Sequence, residues 1–366
     1  MKKVLIVVGT RPNFIKITQF DHVFARYKGE FEYRLVHTGQ HYDYNMSDVF
    51  FQQLNLRKPD YFLGIPPGTP VFQMGNIMIE LEKVLDDFQP NLVMVVGDVN
   101  STFAAAFCAY KKGIKVAHLE SGLRSLDREM PEEINRILTD EISDYFFITE
   151  QSGFDNLKKE GKKDGQMYFV GNTMIDTLVA FDKQIDQSDI LQKLNLEPDT
   201  FVLMTIHRPS NVDTEESLAL SVEIILEVAK TKKVVFPIHP RTMGKIESFG
   251  LKERIVSNPN ITFCPPLDYF AFQKLVKECS FVLTDSGGIQ EETTFRQVPC
   301  LTLRKNTERP STVQIGTNEL LPFETNAILQ KIKEIGEGKY KKGSIPPLWD
   351  GKATERIVEF LKEIIK

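Results

Sequence analysis

The sequence predicts an α/β chain built as two doubly wound, Rossmann-like domains. Three observations carry that expectation. Short apolar runs ending in Gly or polar residues alternate with amphipathic stretches of helical length, the pattern of a parallel sheet with helices on both faces. The alternation stops near Gly171-Asn172-Thr173, passes through a polar segment at 182–199, and begins again. A length of 366 residues allows two domains of ordinary size, each with its own core.

Taken in order, the first strand is expected at residues 4–8, directly after Met1-Lys2-Lys3, an apolar run too short for a signal peptide. Further strands are expected at 33–37, 92–96, 116–119 and 145–148. Between them, Ile77, Leu81, Val84 and Leu85 trace one helical stripe, and Ile134, Ile137, Leu138 and Ile142 another. The second domain is expected to carry strands at 201–206, 234–238, 261–263, 281–284 and 299–303. Residues 336–351, rich in Gly, Lys and Pro, read as a connector. A last helix from Ala353 presents Ile357, Phe360, Leu361 and Ile364 on one stripe. The implied boundaries are 1–172, 173–350 and a closing helix at 351–366.

The formal net charge of −5 leaves no basic footprint for nucleic acid or an anionic membrane. No apolar run approaches the roughly 18 residues of a membrane span, so a cytoplasmic protein is expected. The four cysteines (Cys108, Cys264, Cys279 and Cys300) show no Cys-x-x-Cys spacing, which indicates neither a zinc site nor a disulfide framework.

Ligands of open parallel sheets bind beyond the carboxyl ends of the strands, so the residues after each strand are the informative ones. They read Gly9-Thr10-Arg11-Pro12 with Lys16 one turn on, His37-Thr38-Gly39-Gln40-His41, Gly97-Asp98, and His118-Leu119-Glu120-Ser121-Gly122. In the second domain they read His207-Arg208, His239-Pro240-Arg241 and Asp285-Ser286-Gly287-Gly288. Five of the six histidines lie at or just past a strand end, which points to a site on that edge. Arg11, Lys16, Arg208 and Arg241 bring positive charge there, favouring an anionic ligand. The Ser286-Gly287-Gly288 turn between a strand and a helix start reads as an anion site, with a plain Ser-capped turn as its alternative. Two such domains are expected to face each other with their strand ends across a cleft. No Gly-x-x-x-x-Gly-Lys-Ser/Thr loop and no Gly-x-Gly-x-x-Gly after the first strand is present, which argues against an ATPase and a dinucleotide dehydrogenase.

Three carboxylates stand out. Asp98 and Glu120 end different strands and are expected to point into the cleft. Glu132 follows Pro131, a fitting first helical residue, and its alternative role is an i,i+4 pair with Arg136. Asp98, followed by Asn100, Ser101 and Thr102, has helix capping as its alternative.

Together these stretches resemble the non-hydrolysing UDP-N-acetylglucosamine 2-epimerases, whose fold is the two-domain glycosyltransferase-B type. The resemblance runs through almost the whole chain. It adds Leu123-Arg124, Met130-Pro131-Glu132-Glu133-Ile134-Asn135-Arg136, Gly171-Asn172-Thr173, Thr284 to Glu292, and Thr307-Glu308-Arg309-Pro310 to the motifs above. It implies reversible inversion at C2, by anti elimination of UDP to a 2-acetamidoglucal and re-addition, without metal or redox cofactor. By match to the family's motifs, Asp98, Glu120 and Glu132 look like the acid/base set, in no assigned order, with His207 on the leaving diphosphate. Arg11, Lys16, Arg136, Ser286, Gly287 and Gly288 would hold substrate, Glu292 the ribose hydroxyls, Phe272 the uracil ring, and Arg309 a further ligand contact. The core is the alternative place for Phe272. The resemblance also implies a homodimer and a closing helix that returns to the first domain.

The chain departs from the family pattern at Asn13 and Ser210, where many members have Glu, and at Ser121, where Ala is common. These departures bear on the sugar substituents, and a related branch acts on other 2-acetamido or 2,3-diacetamido sugars. A hydrolysing relative, a glycosyltransferase of the same fold and a nucleotide-sugar sensor are the competing readings.

Overall fold

The computed structural model describes residues 1–39, 51, 53–238 and 240–365, with the backbone alone at 209, 210, 240 and 241. Gln40, His41 and His239 lie outside the described residues, as do the side chains of Ser210 and Arg241. The described chain divides into two compact units, Met1–Ala180 with Pro347–Lys366, and Phe181–Pro346.

In the first unit, seven parallel strands run in the order β3-β2-β1-β4-β5-β6-β7: β1 (Lys2–Val8), β2 (Phe31–His37), β3 (Tyr61–Phe62), β4 (Leu92–Val96), β5 (Lys115–Leu119), β6 (Tyr145–Ile148) and β7 (Met167–Phe169). β1 is an interior strand, with Ile6 registered against Leu35 on one side and Met94 on the other. Residues 4–8 are all buried, as a strand covered on both faces requires. In the second unit, six parallel strands run β10-β9-β8-β11-β12-β13: β8 (Phe201–Thr205), β9 (Lys233–Pro237), β10 (Ile261–Cys264), β11 (Phe281–Thr284), β12 (Cys300–Leu303) and β13 (Asn318–Leu321). Both sheets therefore share one topology. The chain winds outward in one direction, returns to the centre, and winds out the other way. The switch points fall between β1 and β4 and between β8 and β11, and crossovers leave a ligand crevice there.

The structure corrects or extends the sequence reading in four places. β3, β7 and β13 were not legible, because they have two to four residues at or near sheet edges and lack a buried apolar run. Helix Thr173–Ala180 belongs to the first unit, not the second: Thr177 Oγ1 donates to the Ile15 carbonyl at 2.5 Å and pairs with Thr18 Oγ1. The connector is anchored, since buried Trp349 donates its indole N–H to the Thr149 carbonyl at 3.0 Å. Helix Pro131–Ile142 turns its polar side inward. Glu133, Asn135, Arg136, Thr139 and Asp140 are its buried residues, whereas Leu138 of the expected apolar stripe is 41% exposed. Periodicity reveals two faces but not which one is inside, and this buried face is satisfied by charge pairing.

Helix Ala353–Ile364 closes the first unit, with Ile357 and Leu361 buried and Phe360 against Tyr168. Its N-terminus is held by Asp176, whose carboxylate accepts from Ala353 N (3.0 Å), Thr354 N (2.6 Å) and Thr354 Oγ1 (2.7 Å). Burial pushes the Asp176 carboxyl up to about 6, against the pull of those hydrogen bonds. A folded-state proton held more tightly than in the unfolded chain (about 3.9) makes this group's contribution greatest below about pH 4. That contribution is lost as pH rises through about 6. Urea unfolding at pH 4.5 and 7 should show a stability advantage of wild type over Asp176→Asn that is larger at pH 4.5 than at pH 7, since the other titrating groups are common to both. Asp176→Ala should cost about 1–3 kcal/mol and raise amide exchange across the closing helix.

Candidate active site

The first unit gathers its charged groups where β1, β4 and β5 end. Thr10 ends β1's turn, and helix Arg11–Ile17 begins with Pro12 in its first turn. Asn13 ties this turn together: its Oδ1 accepts from Gly9 N, Thr10 N and Thr10 Oγ1 at 3.0–3.2 Å, and its Nδ2 donates to the Val96 carbonyl at 3.1 Å. One turn on, buried Lys16 forms an ion pair with Glu120. Gly97, at φ +69°, lies against both: a Cβ there would stand 3.3 Å from Lys16 Nζ and Asn13 Nδ2 and 3.4 Å from Glu120 Oε2. Only a residue without a Cβ permits that approach in the left-handed region.

Glu120 itself adopts φ +72°. A non-glycine residue held there is strained, and such strain persists where the surroundings over-determine the conformation. Here Glu120 N and Ser121 N both donate to the Phe147 carbonyl, and Gly122 follows at φ +77° with its Cα face against the Gly153 backbone. Asp98, about one-quarter exposed, pairs with the buried Arg136 guanidinium, and Asn135 Nδ2 donates to the Asp98 carbonyl at 3.0 Å. Arg136 also binds Glu133 Oε2 at 2.7 Å, and Glu133 accepts from Ser125 N and Leu126 N. Burial raises the Glu133 carboxyl, but those donors and the Arg136 charge outweigh it and leave it low.

The sequence alternatives for these residues resolve physically. Arg136 pairs three residues back with Glu133 and across to Asp98, while Glu132 stands exposed in the first helical turn after Pro131. Val99, not Asp98, takes the N-cap position of helix Asn100–Lys111, and the Asp98 side chain is turned to Arg136 instead. Arg11 is partly exposed, and burial lowers its guanidinium. Asn13 spends its amide on backbone, and Ser121 is fully buried, so neither departure from the family pattern presents a side chain outward.

The histidine signal divides. His37 is stacked between Phe14 (4.9 Å) and Phe62 (5.2 Å), and burial pushes its imidazole down to about 4. It is an aromatic core residue. His118 is fully buried, with Nδ1 2.6 Å from Asp140 Oδ1 and Nε2 2.7 Å from the Gly97 carbonyl. It holds the turn that carries Asp98. Asp140 also accepts from Gly122 N and pairs with Arg124. Burial raises this carboxyl, yet the His118 and Arg124 charges hold it below its ordinary value. Sequence reasoning missed Asp140, which reads as a surface residue of an amphipathic helix.

His207, in the second unit, is different. It is 55% exposed, and its Nδ1 lies 3.0 Å from Asp285 Oδ1, which turns Nε2 outward. Asp285 is fully buried and accepts from His207 N, Arg208 N and Asn211 Nδ2 at 2.8–3.2 Å. Burial raises its carboxyl, but His207 and these N–H groups bring it low. Ser286 takes the N-cap position of helix Gly287–Arg296 without spending its hydroxyl on a cap, so the plain capped turn is not what forms. A cavity of about 270 Å³ opens beside it, lined by His207, Pro266, Leu267, Phe272, Ser286 and Ile289. Phe272 is thus both half-buried and cavity-facing. Glu292 is buried one turn into the same helix, and burial pushes its carboxyl up to about 7. Arg309 pairs with Glu291 at 2.8 Å and with Glu308.

No group of His, Cys, Asp and Glu among the described residues has the arrangement of a metal site, and no described helix is long and apolar enough to cross a membrane.

A family model described as UDP-N-acetylglucosamine 2-epimerase matches residues 25–362. The chain is 41% identical over 364 residues to the UDP-N-acetylglucosamine 2-epimerase of Methanocaldococcus jannaschii, covering 98% of each. It is 38% identical over 366 residues to the UDP-2,3-diacetamido-2,3-dideoxy-D-glucuronate 2-epimerase of Pseudomonas aeruginosa, covering 99% of this chain and 100% of that one. A crystal structure of the Methanocaldococcus jannaschii enzyme in complex with UDP-GlcNAc and UDP is similar with a TM-score of 0.88 at 40% identity, over 99% of both chains. With this match over nearly its full length and the shared glycosyltransferase-B type fold, the chain belongs to the UDP-N-acetylglucosamine 2-epimerase family.

Proposed function

We propose that the protein interconverts UDP-N-acetylglucosamine and UDP-N-acetylmannosamine by inversion at C2, releasing and re-adding UDP around a 2-acetamidoglucal intermediate. The observation that carries this reading is the pair of carboxylates, Asp98 and Glu120, at the ends of adjacent strands β4 and β5. Each has its own cation, Arg136 and Lys16. Inversion by elimination needs one proton-transfer group for each face of the sugar, and loss of the weakly acidic C2 proton must accompany departure of the diphosphate. Glu132, exposed at a helix start, is the third member of the set. In the second unit, Ser286, Gly287 and Gly288 hold the diphosphate at a helix N-terminus. Phe272 packs on uracil, Glu292 accepts from the ribose hydroxyls, and His207 Nε2 serves the departing phosphate oxygen. Arg136, buried on Asp98 and Glu133, acts by orienting Asp98 rather than by touching substrate.

A second substrate reading is favoured by the 38% identity to the diacetamido-glucuronate epimerase, nearly that of the N-acetylglucosamine enzyme. Incubation with each UDP-sugar in heavy water, followed by NMR, tests both. A UDP-linked manno product with deuterium at C2 is expected from UDP-N-acetylglucosamine. Release of free sugar would replace this reading by hydrolysis, and turnover of the diacetamido-glucuronate alone would move the substrate.

Asp98→Asn, Glu120→Gln and Glu132→Gln should each lower turnover by about 10²-fold or more, and only Glu120→Gln, which leaves buried Lys16 without its carboxylate, should also lower the melting temperature clearly. Wild-type turnover in any one of them would return that residue to a structural role.

We also propose a homodimer, formed through the first unit. Helices Pro70–Phe88 and Asn100–Lys111 pack side by side and leave Val71 (81%), Ile79 (58%) and Tyr110 (52%) exposed, with Phe103 and Phe107 partly covered beside them. Apolar surface of this kind is commonly buried against a partner. Light scattering should give twice the chain mass for wild type and a monomer for Phe107→Glu.

A further inference from the structure

Arg304 is a cation that neither the sequence motifs nor the proposed reaction employs. It follows β12, its side chain is 2% exposed, and its Nη2 donates to Glu308 Oε2 at 2.8 Å. Its Nε and Nη1 have no hydrogen-bond partner among the described residues. Burial lowers its guanidinium, Glu308 raises it, and the charges of Arg208 and Arg309 lower it again, so three arginines share one neighbourhood.

That neighbourhood is the start of helix Gly287–Arg296. A Cβ built on Gly287 would stand 2.8 Å from Glu308 Oε1, 3.1 Å from Arg309 Nη1 and 3.6 Å from Arg304 Nη1. Gly287 is thus the residue over which the arginine cluster closes, and Glu308 divides one carboxylate between Arg304 and Arg309. Buried guanidinium donors without acceptors are costly and rare. A fork-shaped donor beside a helix N-terminus is matched by a tetrahedral oxyanion, which offers several acceptors and opposite charge.

We infer that Arg304 is a binding residue for the diphosphate of the nucleotide, acting with the first-turn N–H groups of helix Gly287–Arg296. This rests on the reading of that turn as the UDP site. Arg304 contributes to the phosphate chain and not to the nucleoside, whose ring and ribose fall to Phe272 and Glu292. Glu308 holds the guanidinium in place before the anion arrives.

Calorimetric titration of uridine and of UDP into wild type, Arg304→Lys and Arg304→Met, with melting temperatures recorded, separates the possibilities. Wild type should bind both ligands. Arg304→Met should weaken UDP by about 10²-fold and change uridine by less than about twofold, with Arg304→Lys between, since a point charge replaces part of a bidentate contact. Equal weakening of uridine and UDP would make Arg304 a structural residue and overturn the inference. So would UDP affinity in Arg304→Met within about threefold of wild type. Failure of the wild type to bind either ligand would instead overturn the UDP reading on which the inference stands.

Discussion

Each unit is organised around one fully buried carboxylate that is neutralised from several directions. In the first it is Asp140, which gathers His118, Gly122 N and Arg124. In the second it is Asp285, which gathers the His207 ring and the backbone N–H groups of His207 and Arg208, together with Asn211. A charge with no solvent is tolerable only when its lone pairs are filled and an opposite charge is near. Meeting that requirement fixes where neighbouring segments lie. Through His118, Asp140 places the Gly97 carbonyl, hence the turn bearing Asp98. Through its backbone acceptors, Asp285 places His207 with one ring nitrogen outward.

The two sheets supply the frame in which those carboxylates act. Both follow the same winding order, so both open a crevice at the central strand pair. In the first unit Lys16, Gly97 and Glu120 meet there, and in the second His207, Asp285 and Ser286. Stored backbone strain coincides with the same place: Glu120 at φ +72° is held by Phe147 and by the Gly122–Gly153 contact. A side chain pinned this way loses little entropy on engaging a ligand, which is what preorganisation requires.

The two units differ in the chemistry they offer. The first offers carboxylates paired with cations, suited to moving protons. The second offers an uncapped helix start, an apolar cavity beside it and a cluster of buried arginines, suited to holding a nucleotide. Arg304 and Arg309 flank Gly287, a position where any Cβ would collide with the Glu308 carboxylate. The glycine there leaves room for the side chains that close over it.

Much of this was legible from residue order alone. The strand–helix alternation, the restart after the polar segment, and the residues following each strand are local properties, and local patterns survive in a one-dimensional reading. Asp98, Glu120, His207 and the Ser286-Gly287-Gly288 turn could all be singled out in that way. Which polar residues are inside could not. The helix bearing Glu133, Arg136 and Asp140 has a clear apolar stripe, yet its charged face is the buried one, because its partners arrive from β4, β5 and the 122–126 loop. Likewise His37 and His118 look like site residues by position. Contacts distant in sequence, with Phe14 and Phe62 for one and Asp140 and Gly97 for the other, make them core and scaffold. The sequence by itself determined the doubly wound fold class and the central strand ends from which chemistry can issue. Only the tertiary structure decided which charges are spent on one another and which remain for a ligand, because pairing depends on distance in space and not on spacing along the chain.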